Sequence, residues 1–377
     1  MKKFFFLINI LFSVNVFSQY IISDKETKKD SISEVSFIFM GDIMGHSPQI
    51  NSAYNTENKQ YEYDDVFYKV APIIKKYDFA IANLEVTLGG KPYTGYPTFS
   101  SPDALAVACK NAGIDAMVTA NNHSCDRKYK GIMRTIKVLD SLEIKRTGTF
   151  TDSIEREVKN LLILDKNNIS VGILNYTYGT NGIPIPSPTI VNLLDTLQIK
   201  KDIIKAKKYK LDKLITFVHW GDEYARLPNK AQKSMAQFLF KNGVDIIIGS
   251  HSHTLQPMEI LSDKTAISDK LLVYSLGNYI SNQRKRYTDG GAMVRFTLKK
   301  NNKGQTLLTN AGYYLTWVHI YDKNGKKKYE ILPCANVEKE NFEGMTEESQ
   351  KQMKIFIEDS RKLFEENNLG NIVEVKE

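Results

Sequence analysis

The residues able to do chemistry in this chain recur in one kind of place. Of its six histidines, His46, His123, His219, His251 and His253 fall directly or closely after short apolar runs, and Asp42 and Glu85 do the same. In α/β proteins the carboxyl ends of strands are where sites assemble. A single histidine there is most often a satisfied core group, and a single aspartate a capping residue. The whole set would need several coincidences, so a shared metal site explains it better. Carboxylate oxygens and imidazole nitrogens suit borderline divalent ions such as Mn²⁺, Fe²⁺ or Zn²⁺. Two ions roughly 3.5–4 Å apart need a bridging carboxylate, which Asp42 or Glu85 can supply. Such a pair activates water and clamps the oxygens of a displacement at phosphorus or a carbonyl. His251-Ser252-His253 puts two imidazoles on one turn.

The elements that must position these residues are legible as alternating strands and helices. Runs over 34–40, 78–84, 114–120, 214–218, 244–248 and 271–274 are short, apolar and bounded by Gly or polar clusters, as buried strands are. Further strands are expected at 161–165, 169–176 and 292–298, in a second sheet. Helices are expected from Pro102, capped by Ser101, to Asn111, and over 128–142. A third follows Asn229 and stops at Gly243. A fourth, over 66–76, is disturbed by Pro72. Strand-helix alternation argues a layered α/β fold, and the extra strands favour a two-sheet sandwich with outer helices. The charged segment 336–377 carries an amphipathic helix over 350–366.

Six segments in order give a more specific signal: Met40-Gly41-Asp42-Ile43-Met44, Ala82-Asn83-Leu84-Glu85, Ala120-Asn121-Asn122-His123-Ser124-Cys125-Asp126, His219-Trp220-Gly221-Asp222-Glu223-Tyr224, Gly249-Ser250-His251-Ser252-His253-Thr254-Leu255-Gln256-Pro257 and Ser275-Leu276-Gly277-Asn278-Tyr279. From about residue 36 to 280 the chain resembles the bacterial capsule-synthesis CapA family, linked to poly-γ-glutamate capsules and similar to calcineurin-like metallophosphoesterases. The resemblance implies a four-layer αββα sandwich of two mixed sheets. By position it implies that Asp42, Glu85 and His253 hold one metal, and that Glu85, Asn122, His219 and His251 hold a second. His123 would then face the substrate as general acid or anion contact, oriented by Asp126. The first motif departs from the phosphoesterase Asp-x-His, because three residues separate Asp42 from His46, which is also counted among the metal candidates. The second motif has Asn83-Leu84-Glu85 where an aspartate is usual.

Composition sets the outer limits. With 377 residues, 42% hydrophobic and 25% charged, the chain can bury a large core, and disordered or collagen-like classes are excluded. A formal charge of +8, spread without a long basic block, suits an anionic substrate or cell surface and does not point to nucleic acid. Residues 1–18 read as a secretory signal peptide: Lys2 and Lys3, an apolar stretch, then Val16-Phe17-Ser18. They predict an exported protein, periplasmic or at the cell surface, with 19–34 as a lead-in and the main domain over 35–335. Cys109, Cys125 and Cys334 form no disulfide framework, and Cys125 is not expected to bind metal. Substrate contacts are sought at Trp220, beside His219; at Lys91, in a Gly/Tyr loop after Glu85; and at Asn278. The run Arg284-Lys285-Arg286 reads as a solvated charge run, and His319 as structural. Two functions fit: a metal-dependent hydrolase acting on an anionic polymer or envelope component, within capsule-synthesis machinery, or a non-catalytic envelope protein that binds or exports such a polymer.

Overall fold

Strand phase sorts the side chains into layers. In β1 (Ser33–Ile43), Val35, Phe37 and Phe39 enter one apolar cluster while Ile38 and Met40 enter another, the period-two alternation of a strand buried on both faces. This computed structural model describes residue 1 and residues 33–262, 269–336 and 342–376. Apart from Met1, the export signal lies outside the described residues, as does the lead-in up to residue 32. Among the described residues no helix is long and apolar enough to cross a membrane.

Beside β1 run β2 (Phe79–Leu84), β3 (Ala116–Val118) and β4 (Lys145–Thr147), all parallel. The second sheet holds β5 (Leu162–Lys166), β6 (Ile169–Thr177), β7 (Lys213–His219), β8 (Ile246–Ser250), β9 (Met258–Leu261) and β10 (Lys270–Val273), in the order β9-β10-β8-β7-β6-β5. Its inner strands are parallel, and β5 and β9 close the edges antiparallel. The chain then returns to the first sheet. β11 (Asn278–Ile280) pairs with the end of β1, and β12 (Gly290–Lys300), β13 (Thr306–Lys323) and β14 (Lys326–Pro333) extend that sheet antiparallel from the other side of β1. The strand expected over 292–298 therefore lies in the first sheet. Its even-numbered residues Val294, Phe296 and Leu298 pack between the sheets, with Phe296 stacked on Phe37 at 5.3 Å.

The outcome is the four-layer αββα sandwich of two mixed sheets. Ile215, Phe217, Ile246 and Ile248 meet Phe37 and Phe39 between the sheets. Helices α1 (Ala104–Ala112) and α2 (Lys128–Ser141) cover the outer face of the first sheet, through Leu105, Cys109 and Leu139. Helices α3 (Thr196–Ala206) and α4 (Lys230–Asn242) cover the second, through Ile199, Ile203, Ala236 and Leu239. The boundaries of α4 follow from its ends: the Asn229 side chain accepts from the Gln232 amide, and Gly243 closes the helix at φ 111°. α1 starts two residues later than expected. The Ser101 amide is held by the Thr87 carbonyl, and Asp103, at the cap position, spends its carboxylate on Arg134. The 66–76 segment breaks into Asp64–Phe67 and Ala71–Ile74, with Pro72 in the first turn of the second. The C-terminal helix α5 (Glu347–Asn367) sends Met353, Phe356, Ile357 and Phe364 into the inter-sheet core.

Candidate metal centre

The carboxyl ends of β1, β2, β3, β7 and β8 meet where the two sheets face each other. At the end of β1 the register shifts between Met40 and Asp42. There the chain passes so close to Gly277 that a Cβ on Gly41 would lie 2.0 Å from its carbonyl oxygen, so only glycine fits. This turns Asp42 inward, and its amide is fixed on Gly277. Asn83, in β2 and facing inward with Ile81, donates from Nδ2 to Asp42 Oδ1 at 2.7 Å. Glu85 follows directly. His219 ends β7, its Nδ1 3.0 Å from Ser250 Oγ. His251 and His253 lie on the turn after β8, at φ 102° and 57°; this left-handed backbone lets the turn bring both rings inward.

Among the described residues two buried groups result, Asp42 with Glu85 and His253, and Glu85 with His219 and His251; within each, ligand atoms lie within 4.8 Å of one another. Glu85 Oε1 is 3.4 Å from His219 Nε2 and 4.0 Å from His253 Nε2. Asp42 Oδ2 is 3.4 Å from His253 Nδ1. Asn122 Oδ1 stands 2.8 Å from His219 Nε2, and His251 Nδ1 is 3.1 Å from the same nitrogen.

The electrostatics suit a cation. Both Glu85 oxygens are buried without a hydrogen-bond partner, and an isolated buried carboxylate is costly unless paired or coordinating a metal. Burial first, then the neighbouring Asp42, pushes the Glu85 carboxyl well above its usual range. Burial opposes ionisation of Asp42 as well, but His253 and Asn83 outweigh it and its value falls. Burial, then the other histidines, holds His219 well below the ordinary imidazole value, and burial and His253 take His251 to about 3. Neutral imidazoles and a shared orphan carboxylate are a donor set that a divalent ion fits.

The model of the family described as bacterial capsule synthesis protein PGA_cap matches residues 36–283. The chain belongs to this family. Its relatives include the capsule biosynthesis protein CapA of Bacillus anthracis, 27% identical over 291 residues, and the PGA biosynthesis protein CapA of Bacillus subtilis (strain 168), 26% identical over 296. These matches cover 74% and 75% of this chain and 66% and 72% of the relatives, so the chain spans about two thirds of the length of the first. Among solved structures it is similar to the NAD nucleotidase of Haemophilus influenzae (14% identity, 90% of this chain and 64% of that one, TM-score 0.49) and to the calcineurin-like phosphoesterase YfkN of Bacillus subtilis (15%, 88% and 99%, 0.43).

The remaining candidate residues of this PGA_cap member divide. His123 Nδ1 lies 2.7 Å from Asp126 Oδ2, which also accepts the Phe99 amide. His46 is in neither metal group. It precedes the short helix Ser47–Ala53, with Nδ1 3.1 Å from Gln49 Oε1, and burial lowers it to about 4. Its ring meets the edge of Phe99, which meets His123 in turn. Asn278 is buried against the centre: its Oδ1 is 3.1 Å from His253 Nδ1 and its Nδ2 donates to the Thr288 carbonyl, so it braces His253. Lys91 is exposed. Trp220 does not face the site. It packs behind the second sheet with Tyr274 and donates from Nε1 to the Tyr274 carbonyl, because Leu214, Val218 and Trp220 share the outer phase while His219 takes the inner one.

The charge run is also less free than expected: Arg286 pairs with Asp359 at 2.9 Å, and Arg284 donates to the Val318 carbonyl. His319 is structural, its Nε2 on the Glu343 carbonyl. Sequence reasoning missed Asn83 as a hub for Asp42, and it missed Tyr178, whose ring lies 4.5 Å from His251. The inward phase shared by Ile81, Asn83 and Glu85 was the available signal for the first.

Proposed function

We propose that the chain is a metal-dependent hydrolase acting on an anionic polymer or envelope component during capsule synthesis. The observation that carries this reading is Glu85, a buried carboxylate with two unpartnered oxygens standing between the two histidine groups. Asp42, Glu85 and His253 would hold one divalent ion, and Glu85, Asn122, His219 and His251 a second, drawn from Mn, Fe and Zn. Bound there, the ions supply water activation and neutralise charge developing on the scissile group. The chain's own residues do the rest. Asp126 takes the Nδ1–H of His123 and orients the ring; with Nε2 protonated as well, that nitrogen gives its proton to the leaving group or contacts an anion. Asn278 and Ser250 hold the rings of His253 and His219 in place.

The family and the names of the Bacillus relatives support poly-γ-glutamate as the polymer, and the basic charge of the chain is compatible with it. Export to the periplasm or cell surface, beside capsule-synthesis machinery, completes the proposal. The test is to purify the protein, measure Mn, Fe and Zn by elemental analysis before and after loading, and follow cleavage of poly-γ-glutamate and of p-nitrophenyl phosphate. Two equivalents of metal with metal-dependent cleavage of either substrate is the expected result. A protein that takes up no metal refutes the proposal.

A further inference from the structure

Two loops reach the His253 side of the centre, and each is anchored to it. On the first, the Tyr224 amide donates to the Ser252 carbonyl at 2.7 Å, between His251 and His253. Tyr224 holds φ at 68°, a left-handed backbone that bulky side chains rarely adopt and that recurs at functional sites. Its ring lies 6.1 Å from that of His253 and is 41% exposed. On the second loop, the Lys285 carbonyl accepts from the amide and the hydroxyl of Thr288, at 3.0 and 2.8 Å. The Thr288 carbonyl accepts from Asn278 Nδ2, and Asn278 Oδ1 meets His253. The two loops converge outside the centre, where Lys285 Nζ lies 4.7 Å from the centroid of the Tyr224 ring.

Lys285 differs from its neighbours. Arg286 is committed to Asp359, and Arg284 lies over Trp317 and on the Val318 carbonyl. Among the described residues the exposed Lys285 pairs with no carboxylate, so its charge is directed by an aromatic face and left open to solvent. The opposite wall has another character. Tyr178 covers His251 at 4.5 Å, and among the described residues no lysine or arginine lies over its ring. The cation thus lies on the face of Tyr224 and not of Tyr178.

We propose that Tyr224 and Lys285 form a subsite for an anionic group of the substrate, carried to one side of the scissile bond, next to the Asp42–His253 half of the centre. This rests on the reading of the centre as a site for an anionic substrate. Carboxylate and phosphate share the required chemistry. The ring supplies a flat apolar support for the chain, and the ammonium supplies the charge.

The test measures binding by fluorescence anisotropy, using a fluorescein-labelled γ-linked glutamate decamer, the uncharged γ-linked glutamine decamer, and polyphosphate as competitor, on protein whose metal content is measured in parallel. Lys285→Glu is expected to weaken the glutamate decamer about five- to tenfold at low salt, the scale of one exposed charge reversed, and to leave the glutamine decamer unchanged. Lys285→Arg restores binding, and Tyr224→Leu weakens both decamers. Lys208→Glu, on the outer layer, makes the same change in net charge and serves as the control. Competition by polyphosphate names phosphate as an accepted ligand, and its absence leaves the carboxylate. Equal affinity of Lys285→Glu and wild type for the glutamate decamer, or no saturable binding by metal-loaded wild type, overturns the subsite. Loss of metal from wild type would instead strike the reading of the centre.

Discussion

Glu85→Gln separates the metal centre from the fold that carries it. In the metal-free protein neither Glu85 oxygen has a hydrogen-bond partner, so the substitution breaks no bond and removes a carboxyl that burial disfavours as an anion. The melting temperature of the metal-free variant is therefore expected to equal or exceed that of wild type. With metal the sign reverses. Glu85 Oε1 is 3.4 and 4.0 Å from nitrogens of the two histidine groups, so its charge is shared by both half-sites. Two unit charges about 4 Å apart at an effective dielectric near 20 interact by ~4 kcal/mol, and a divalent ion doubles this. Ionising the buried carboxyl costs part of it and the amide dipole of glutamine recovers more, leaving a loss of roughly 2–4 kcal/mol, or about 30- to 1,000-fold in affinity. The assay is thermal melting against Mn²⁺ concentration, with elemental analysis after desalting. Wild type should show a metal-dependent rise in melting temperature that Glu85→Gln lacks, and the variant should lose both equivalents. Two retained equivalents, or the same metal-dependent rise, would rule out Glu85 as the shared ligand.

His219→Ala and Asp42→Asn should each cost one equivalent more readily than two, since each belongs to a single group; unchanged stoichiometry in both would count against the assignment. His123→Ala should keep both metals while cleavage falls by roughly 10²–10⁴, and loss of an equivalent would make His123 a ligand instead. Trp220→Phe should lower stability by about 1–3 kcal/mol, through lost volume and the lost bond to Tyr274, with no change in KM; a raised KM would return Trp220 to the substrate. Burial alone would raise Glu155, but the Thr151 amide, Arg146 and Lys159 outweigh it and hold it at about 2. A depressed carboxyl stabilises above its unfolded value and loses that contribution as pH falls through its folded one. Wild type should thus exceed Glu155→Gln by on the order of 1–2 kcal/mol at pH 7, after solvent screening, and the gap should close between about pH 4.5 and 2; denaturant melts showing a constant gap would contradict this.

Much of the centre was legible because its residues sit at strand ends, and strand ends are marked by where apolar β-branched runs stop. The helix after Asn229 was legible for a similar local reason, since cap and stop are both encoded in single residues. What failed was non-local. Nothing in the run over 292–298 says that it returns to pair with β1, nor that β13 and β14 extend the first sheet beyond it; such pairing is settled by packing of distant segments. Trp220 was misplaced for a readable reason. Proximity to His219 in sequence suggested proximity to the site, whereas strand alternation sends adjacent residues to opposite faces. Ser101 reads locally as a cap, yet in the fold its hydroxyl is buried without a hydrogen-bond partner and the helix starts at Ala104. The bracing by Asn278 and the convergence of Tyr224 on Lys285 depend on loops that meet only in the folded chain.

The most direct measurement of the central claim is electron paramagnetic resonance of the protein loaded with Mn²⁺. Two equivalents with the signature of a spin-coupled pair are expected in wild type, and an empty site in Glu85→Gln. A single uncoupled Mn²⁺ signal in wild type, or none after loading, would contradict a two-ion centre built on a shared Glu85.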